Sequence, residues 1–367
     1  MMSGRNSYTR FYNIAYKLIL FQTVLLFISC TTKKAGRVVE RSFYYWKSVL
    51  KLSAFEEQRL HDLHITTLYV KFFDVGWDET TNAAVPMAKL QAPHFKLQND
   101  IAIVPVVFIT NECIQKIDSA AVGGLAAKIY SLTKEIRNAN NWQYTKHLDG
   151  INEIQIDCDW TAATKNKYFK LLKILSEQVC YDGGGYTCSI SCTIRLHQIK
   201  YLLKTGVPPV KKGLLMCYNM GNLKDPATKN SILETEELKK YLGNLASYPL
   251  PLDVALPLFD WKVLFRNNIY SGLVENLPDA VFNNAFALQK ENRWEIVKDT
   301  LLQGYDLKKG DMIRNEKSDY HEVLSAAGEI NKQLKNTALR VSLYHLDSLI
   351  LNKYSLNEME AIYNSMH

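Results

Sequence analysis

Eight short apolar runs punctuate the chain, and the stretches between most of them repeat their apolar residues at helical spacing. The runs predicted as strands are Ser42–Trp46, Ile65–Phe73, Ile101–Ile109, Glu153–Asp159, Ser189–Leu196, Gly213–Asn219, Leu252–Phe259 and Val341–Leu346. Runs such as IAIVPVVFI and DVALPLF are almost continuously apolar, which suits parallel strands buried on both faces. Between them, Ser53-Ala54-Phe55-Glu56 and Ser231-Ile232-Leu233-Glu234 fit the capping box that opens a helix. Tyr168, Leu171, Leu172, Leu175 and Val179 form one helical stripe, and Ile117, Ala121, Leu125, Leu132 and Ile136 form another. Alternation of strand and helix predicts an α/β fold with a parallel sheet, and eight strands favour a closed (β/α)8 TIM-like barrel over an open sheet.

Residues 262–340 are too many for one crossover. Turn signals at Gly304-Tyr305-Asp306 and Lys309-Gly310-Asp311 predict an insertion before the last strand, about 293–316, as a small hairpin. A helix from Tyr320 to Leu334 then returns the chain to the barrel. The barrel domain is expected over 42–367.

The N-terminus has another character. Residues 1–17 are basic and free of acid, and Leu18–Ser29 is apolar but too short for a confident span, so 1–29 reads as an export signal. Phe27-Ile28-Ser29-Cys30 resembles a bacterial lipobox, with Phe27 where Leu is usual. The resemblance implies cleavage before Cys30, lipidation of its thiol, a tether over 30–41, and anchoring of an exported chain at the periplasmic face or outer membrane. An uncleaved anchor helix with an incidental cysteine is the alternative.

Charge adds little. Of the formal +7, Arg5, Arg10 and Lys17 belong to the leader, which leaves roughly +4 with no long basic run. Nucleic acid is therefore not an expected partner. Of the six later cysteines, Cys180 and Cys188 flank a glycine turn and could pair, whereas Cys158, Cys192 and Cys217 read as buried apolar residues and Cys113 carries no signal. No phosphate-binding glycine loop or metal-ligand spacing occurs, so no cofactor and no metal is expected. Oligomeric state leaves no signature.

In such barrels chemistry sits where strands end. Asp157 and Asp159 alternate onto one face of their strand, which a barrel turns inward, so one carboxylate must be paired or carry a raised pKa. With Tyr218 they form the candidate catalytic set. Asp74, Trp77, Trp160, Arg195, His197, Asn219, Trp261, His345 and Asp347 are candidate ligand-binding residues at other strand ends, the tryptophans as flat surfaces for sugar rings. Arg195 or His197 could instead pair with the aspartates and merely stabilise the mouth.

Asp157-Cys158-Asp159-Trp160-Thr161, Met216-Cys217-Tyr218-Asn219 and Ala255-Leu256-Pro257-Leu258-Phe259 resemble, in order and strand number, the motifs of the family 18, chitinase-like glycoside hydrolases. The resemblance covers about a third of the chain and implies a TIM barrel that handles glycans, with positioning roles for Asp159 and Tyr218. It departs where it matters most: Thr161 stands in place of the general-acid Glu, and Asn219 replaces the acid of the sixth-strand motif. The chain also resembles lipoproteins of Bacteroidetes-type bacteria, through its lipobox and its Asp-Cys-Asp-Trp and Tyr-Asn-Met-Gly runs. Three readings follow: a glycoside hydrolase using Asp157 or Asp159 with another carboxylate such as Asp74 or Asp347, a silent glycan-binding barrel, or a tethered scaffold.

Overall fold

The computed structural model describes residues 37–92, 101–140, 153–181, 189–274 and 277–367. Cys30, the leader, and Cys188 with its expected bridge to Cys180 lie outside the described residues. No helix among the described residues is long and apolar enough to cross a membrane.

All eight predicted strands are present. The chain begins with β1 (Val38–Tyr45), β2 (Thr67–Asp78), β3 (Ala83–Met87), β4 (Ala102–Ile109), β5 (Glu153–Asp157), β6 (Ser189–Arg195), β7 (Lys212–Met216) and β8 (Leu252–Pro257). An excursion follows through β9 (Asp260–Arg266), β10 (Ile269–Val274), β11 (Ala287–Lys290), β12 (Arg293–Ile296), β13 (Thr300–Leu302), β14 (Tyr305–Leu307) and β15 (Met312–Lys317) before β16 (Ala338–Tyr344). Eight strands pair in parallel in the order β1-β16-β8-β7-β6-β5-β4-β2, and β2 returns to β1, which closes the barrel. β3 folds back antiparallel on β2, an addition that the apolar pattern did not announce.

Helices form where their stripes can bury. Tyr168, Leu171, Leu172, Leu175 and Val179 lie on one face of the helix Lys165–Tyr181 and are all buried. The second stripe is divided, because the helix Asn111–Lys116 ends at Ile117 and a new one runs Val122–Ala139. The Ser53 capping box forms as expected. That at Ser231 does not: the helix starts only at Thr235, and the Ser231 hydroxyl donates to Glu316 instead, at 2.5 Å.

The insertion is larger than expected and starts earlier. It occupies 260–317 as a five-stranded antiparallel sheet, β10-β9-β15-β12-β11, with the hairpin β13–β14 beside it. It has its own apolar core, including Phe282 stacked on Trp294 with ring centroids 4.8 Å apart. One buried ion pair fastens it. Arg314 and Glu316 are both fully buried and meet at 2.5 Å. The Arg314 guanidinium also donates to the carbonyls of Asp225 (2.7 Å) and Leu223 (3.0 Å), while Glu316 accepts from Ser231 and from Trp261 Nε1 (2.6 Å). The loop after β7 is thereby tied to the insertion wall.

Candidate functional site

A cavity of about 1310 Å³ lies at the C-terminal ends of the barrel strands, walled on one side by the insertion. It is lined by Asp74, Asp157, Asp159, Arg195, Tyr218, Asn219, Trp261, His345 and Asp347, nine of the residues singled out in the sequence. Trp77, Trp160 and His197 do not line it. Trp77 packs against the barrel core beside β3, and His197 is half-buried in the short helix Leu196–Lys200, where burial lowers its pKa. Trp160 is fully buried, stacked on Tyr168, with its Nε1 donating to the Thr205 carbonyl at 3.1 Å. It anchors a loop and offers no open face to a ligand.

Alternation along β5 sets the floor. Gln155 and Asp157 face the barrel interior, where Gln155 accepts a hydrogen bond from Tyr44 on β1, across the barrel. Asp157 is only 2% exposed and accepts from Thr193 Oγ1 at 2.6 Å. Asp159 sits just past the strand, half-exposed, in an ion pair with Arg195. Burial pushes the Asp157 carboxyl up to about 6; Arg195 opposes this, while the negative charges of Asp159 and Asp74 add to it. The geometry of this group rests on Gln198, which accepts from the Arg195 backbone N–H (2.7 Å) and donates to the Trp160 carbonyl (3.0 Å).

Around this floor runs an aromatic wall. Tyr218, Phe259, Tyr344 and Trp261 form successive ring contacts of 5.2–5.8 Å, and Trp46 and Phe108 continue it on the far side. The Tyr218 hydroxyl is buried and has no hydrogen-bond partner, as is one oxygen of Asp74, whose other oxygen accepts from Lys71 at 3.1 Å. Asn219, with φ 57°, turns the chain out of β7 in the left-handed region that Asn tolerates.

Most other acids here are engaged. Lys47 holds Asp347 at 2.6 Å and Lys353 holds Asp260. Burial would raise Asp279, but Lys317 (2.6 Å) and Lys262 (2.9 Å) bring it down to about 2. Asp319 and Glu358 accept backbone N–H groups at helix starts. His345 is mostly buried with an unpartnered Nδ1, and burial lowers its pKa. Among the described residues no cluster of His, Cys, Asp and Glu is placed to hold a metal ion. Cys113, Cys158, Cys192 and Cys217 are buried free thiols.

Comparison with known proteins follows this geometry. No family model matches the chain, and no curated protein matches it. Solved structures do. The spore cortex-lytic enzyme SleL of Bacillus cereus is similar with a TM-score of 0.51 at 13% identity, over 90% of this chain and 75% of that one. SleL of Bacillus megaterium gives 0.51 at 12%, over 90% and 74%. A family 18 chitinase mutant from Cycas revoluta in complex with (GlcNAc)4 gives 0.51 at 12%, over 89% and 98%. The fold is that of the chitinase-like barrels.

Within that architecture Thr161 is exposed, outside the cavity lining, and its backbone N–H donates to Thr164 Oγ1 at 2.9 Å. No carboxylate enters the cleft from that position. Sequence reasoning missed Trp46, Phe108, Phe259 and Tyr344 as wall residues, and Lys47 and Lys71 as partners of Asp347 and Asp74. Trp46 and Phe259 end predicted strands, so the strand-end rule that found Trp261 could have found them too.

Proposed function

We propose that this cleft binds a glycan chain without hydrolysing it, in a protein exported and anchored to a membrane through Cys30. The carrying observation is the convergence of an aromatic wall with Asp157, Asp159 and Tyr218 in one cavity at the barrel mouth. Flat rings present apolar faces to the C–H faces of sugars, and the paired charges at the floor offer fixed donors and acceptors to their hydroxyls. The Cycas chitinase, with the same fold, is seen in complex with (GlcNAc)4, which supports an amino sugar as ligand. A glycosidase acid must keep its proton near neutral pH and reach the leaving oxygen. Thr161 supplies neither, and most of the remaining cleft carboxylates are held by a lysine or arginine or cap a helix. The lipobox-like Phe27-Ile28-Ser29-Cys30 supports the anchor.

A second reading has its own support. Asp157, with its carboxyl near 6, could serve as the acid of a hydrolysis unlike the family's. Titrating the full chain in detergent with chitooligosaccharides, while assaying release of reducing ends, separates the two. Saturable binding without release is expected. Release that disappears in Asp157→Asn would establish the hydrolase, and failure to bind any oligosaccharide would remove the glycan reading.

A further inference from the structure

The lining of the cleft is acidic although the chain as a whole is basic. Eight carboxylates and five Lys or Arg side chains face it, within a chain of formal charge +7. All five cations are committed: Lys47 to Asp347, Arg195 to Asp159, Lys353 to Asp260, and Lys262 and Lys317 to Asp279. Lys71, from the barrel side, takes Asp74. Asp319 and Glu358 take backbone N–H groups at helix starts, which leaves Asp157 with neither a paired cation nor a helix end. Among the described residues it forms no ion pair, and its bond from Thr193 is to a neutral hydroxyl. A carboxylate so buried, with Arg195 nearby but bound to Asp159, is only partly compensated. Beside it, the buried Tyr218 hydroxyl, 4% exposed as a residue, has neither donor nor acceptor.

We infer that the floor of the cleft receives a cationic group, the free ammonium of a de-N-acetylated amino sugar, and so prefers glucosamine oligomers to their N-acetylated counterparts. The inference rests on the glycan reading above. An ammonium carries three donors and one positive charge. It can bond Asp157 and a neighbouring acid at once, and leave its third donor for the Tyr218 oxygen. An acetamido nitrogen brings one donor, no charge and a methyl group that must lie against carboxylates. The lysines of the cleft are held on fixed acids, with Lys262 and Lys317 sharing Asp279, and none of them reaches Asp157. Discrimination therefore comes from one unpaired negative charge, and from nothing that would hold a neutral sugar worse than water does.

The test titrates the full-length chain in detergent with the glucosamine tetrasaccharide, the N-acetylglucosamine tetrasaccharide and a neutral glucan tetrasaccharide, near neutral pH. The glucosamine oligomer is expected to bind about tenfold or more tighter than the acetylated one, the scale of one charge-assisted contact. Asp157→Asn should erase that preference, bringing the glucosamine and N-acetylglucosamine tetrasaccharides to equal affinity. Tyr218→Phe should weaken the glucosamine oligomer with no loss of thermal stability. Equal binding, preference for the acetylated form, or a preference that survives Asp157→Asn would each overturn the inference and leave the glycan reading intact. Binding of none of the three would overturn both.

Discussion

At the N-terminal end of the barrel, Glu153 and Asp253 are nearly as buried as Asp157 is at the other end, yet their surroundings differ. Arg340 reaches Glu153 at 2.8 Å and the Tyr69 hydroxyl at 2.8 Å, and Lys212 holds Asp253 at 2.6 Å. Ser191 adds a hydrogen bond to Glu153, and the Arg340 backbone N–H another to Asp253. Burial alone would raise Glu153, but Arg340 and Lys212 bring it below its usual value. Burial wins at Asp253 despite Lys212, and at the mouth it wins at Asp157, where no cation is in contact. The same residue chemistry thus differs at the two ends: cations contact the buried acids at the bottom of the barrel, and none contacts Asp157 at the top. An acid held without a contacting cation adds nothing to stability, which is what the proposed ligand site at the mouth requires.

The largest effect expected from this contrast is at the bottom. Arg340→Met strands Glu153 and should lower unfolding free energy by about 3–5 kcal/mol, read by urea denaturation, with oligosaccharide affinity unchanged. Little loss of stability would break the comparison. At the top the sign reverses. Because the folded pKa of Asp157, about 6, lies above its ordinary 3.8, the folded state holds the proton more tightly than the unfolded one. Its penalty is absent below the ordinary value, grows as pH rises between the two, and is constant above about 6. Asp157→Asn should therefore stabilise the chain by about 2–3 kcal/mol at neutral pH and by almost nothing in acid. Denaturation curves across that window check it, with Asp159, Asp74, Arg195 and Thr193, the groups facing Asp157, kept as they are. The smallest effect is at Trp261, whose replacement by Phe keeps a ring in the wall but loses the bond to Glu316. It should cost about 1 kcal/mol of stability and only a few-fold in glycan affinity. A larger affinity loss would show the indole N–H to be used by the ligand.

Much of this was legible in the sequence, for identifiable reasons. Barrel strands buried on both faces leave long apolar runs, and all eight could be read. Two-residue alternation predicts that Asp157 and Asp159 share a side, and of the two partners expected, Arg195 and His197, it is Arg195 that pairs with Asp159. What failed was non-local. Ser231 and Glu234 fit a capping box, but Glu316, 85 residues on, takes the serine hydroxyl, and no local rule sees that competitor. Trp160 was expected at the mouth because it follows a strand; its burial depends on Tyr168 and Thr205, supplied by later elements. The insertion was placed too late because the half-alternating Lys262–Phe265 stretch was absorbed into the connection after the seventh strand. It is β9, whose partners β10 and β15 lie on either side of a long excursion.

The ion pair of Arg314 and Glu316 gives the cleft a mechanical character. It clamps the loop after β7 to the insertion, and the same carboxylate steadies the indole of Trp261. The loop after β7 and the insertion are therefore held as one piece. The proposed ligand would meet a wall already in place, and little of its affinity would go into ordering that wall.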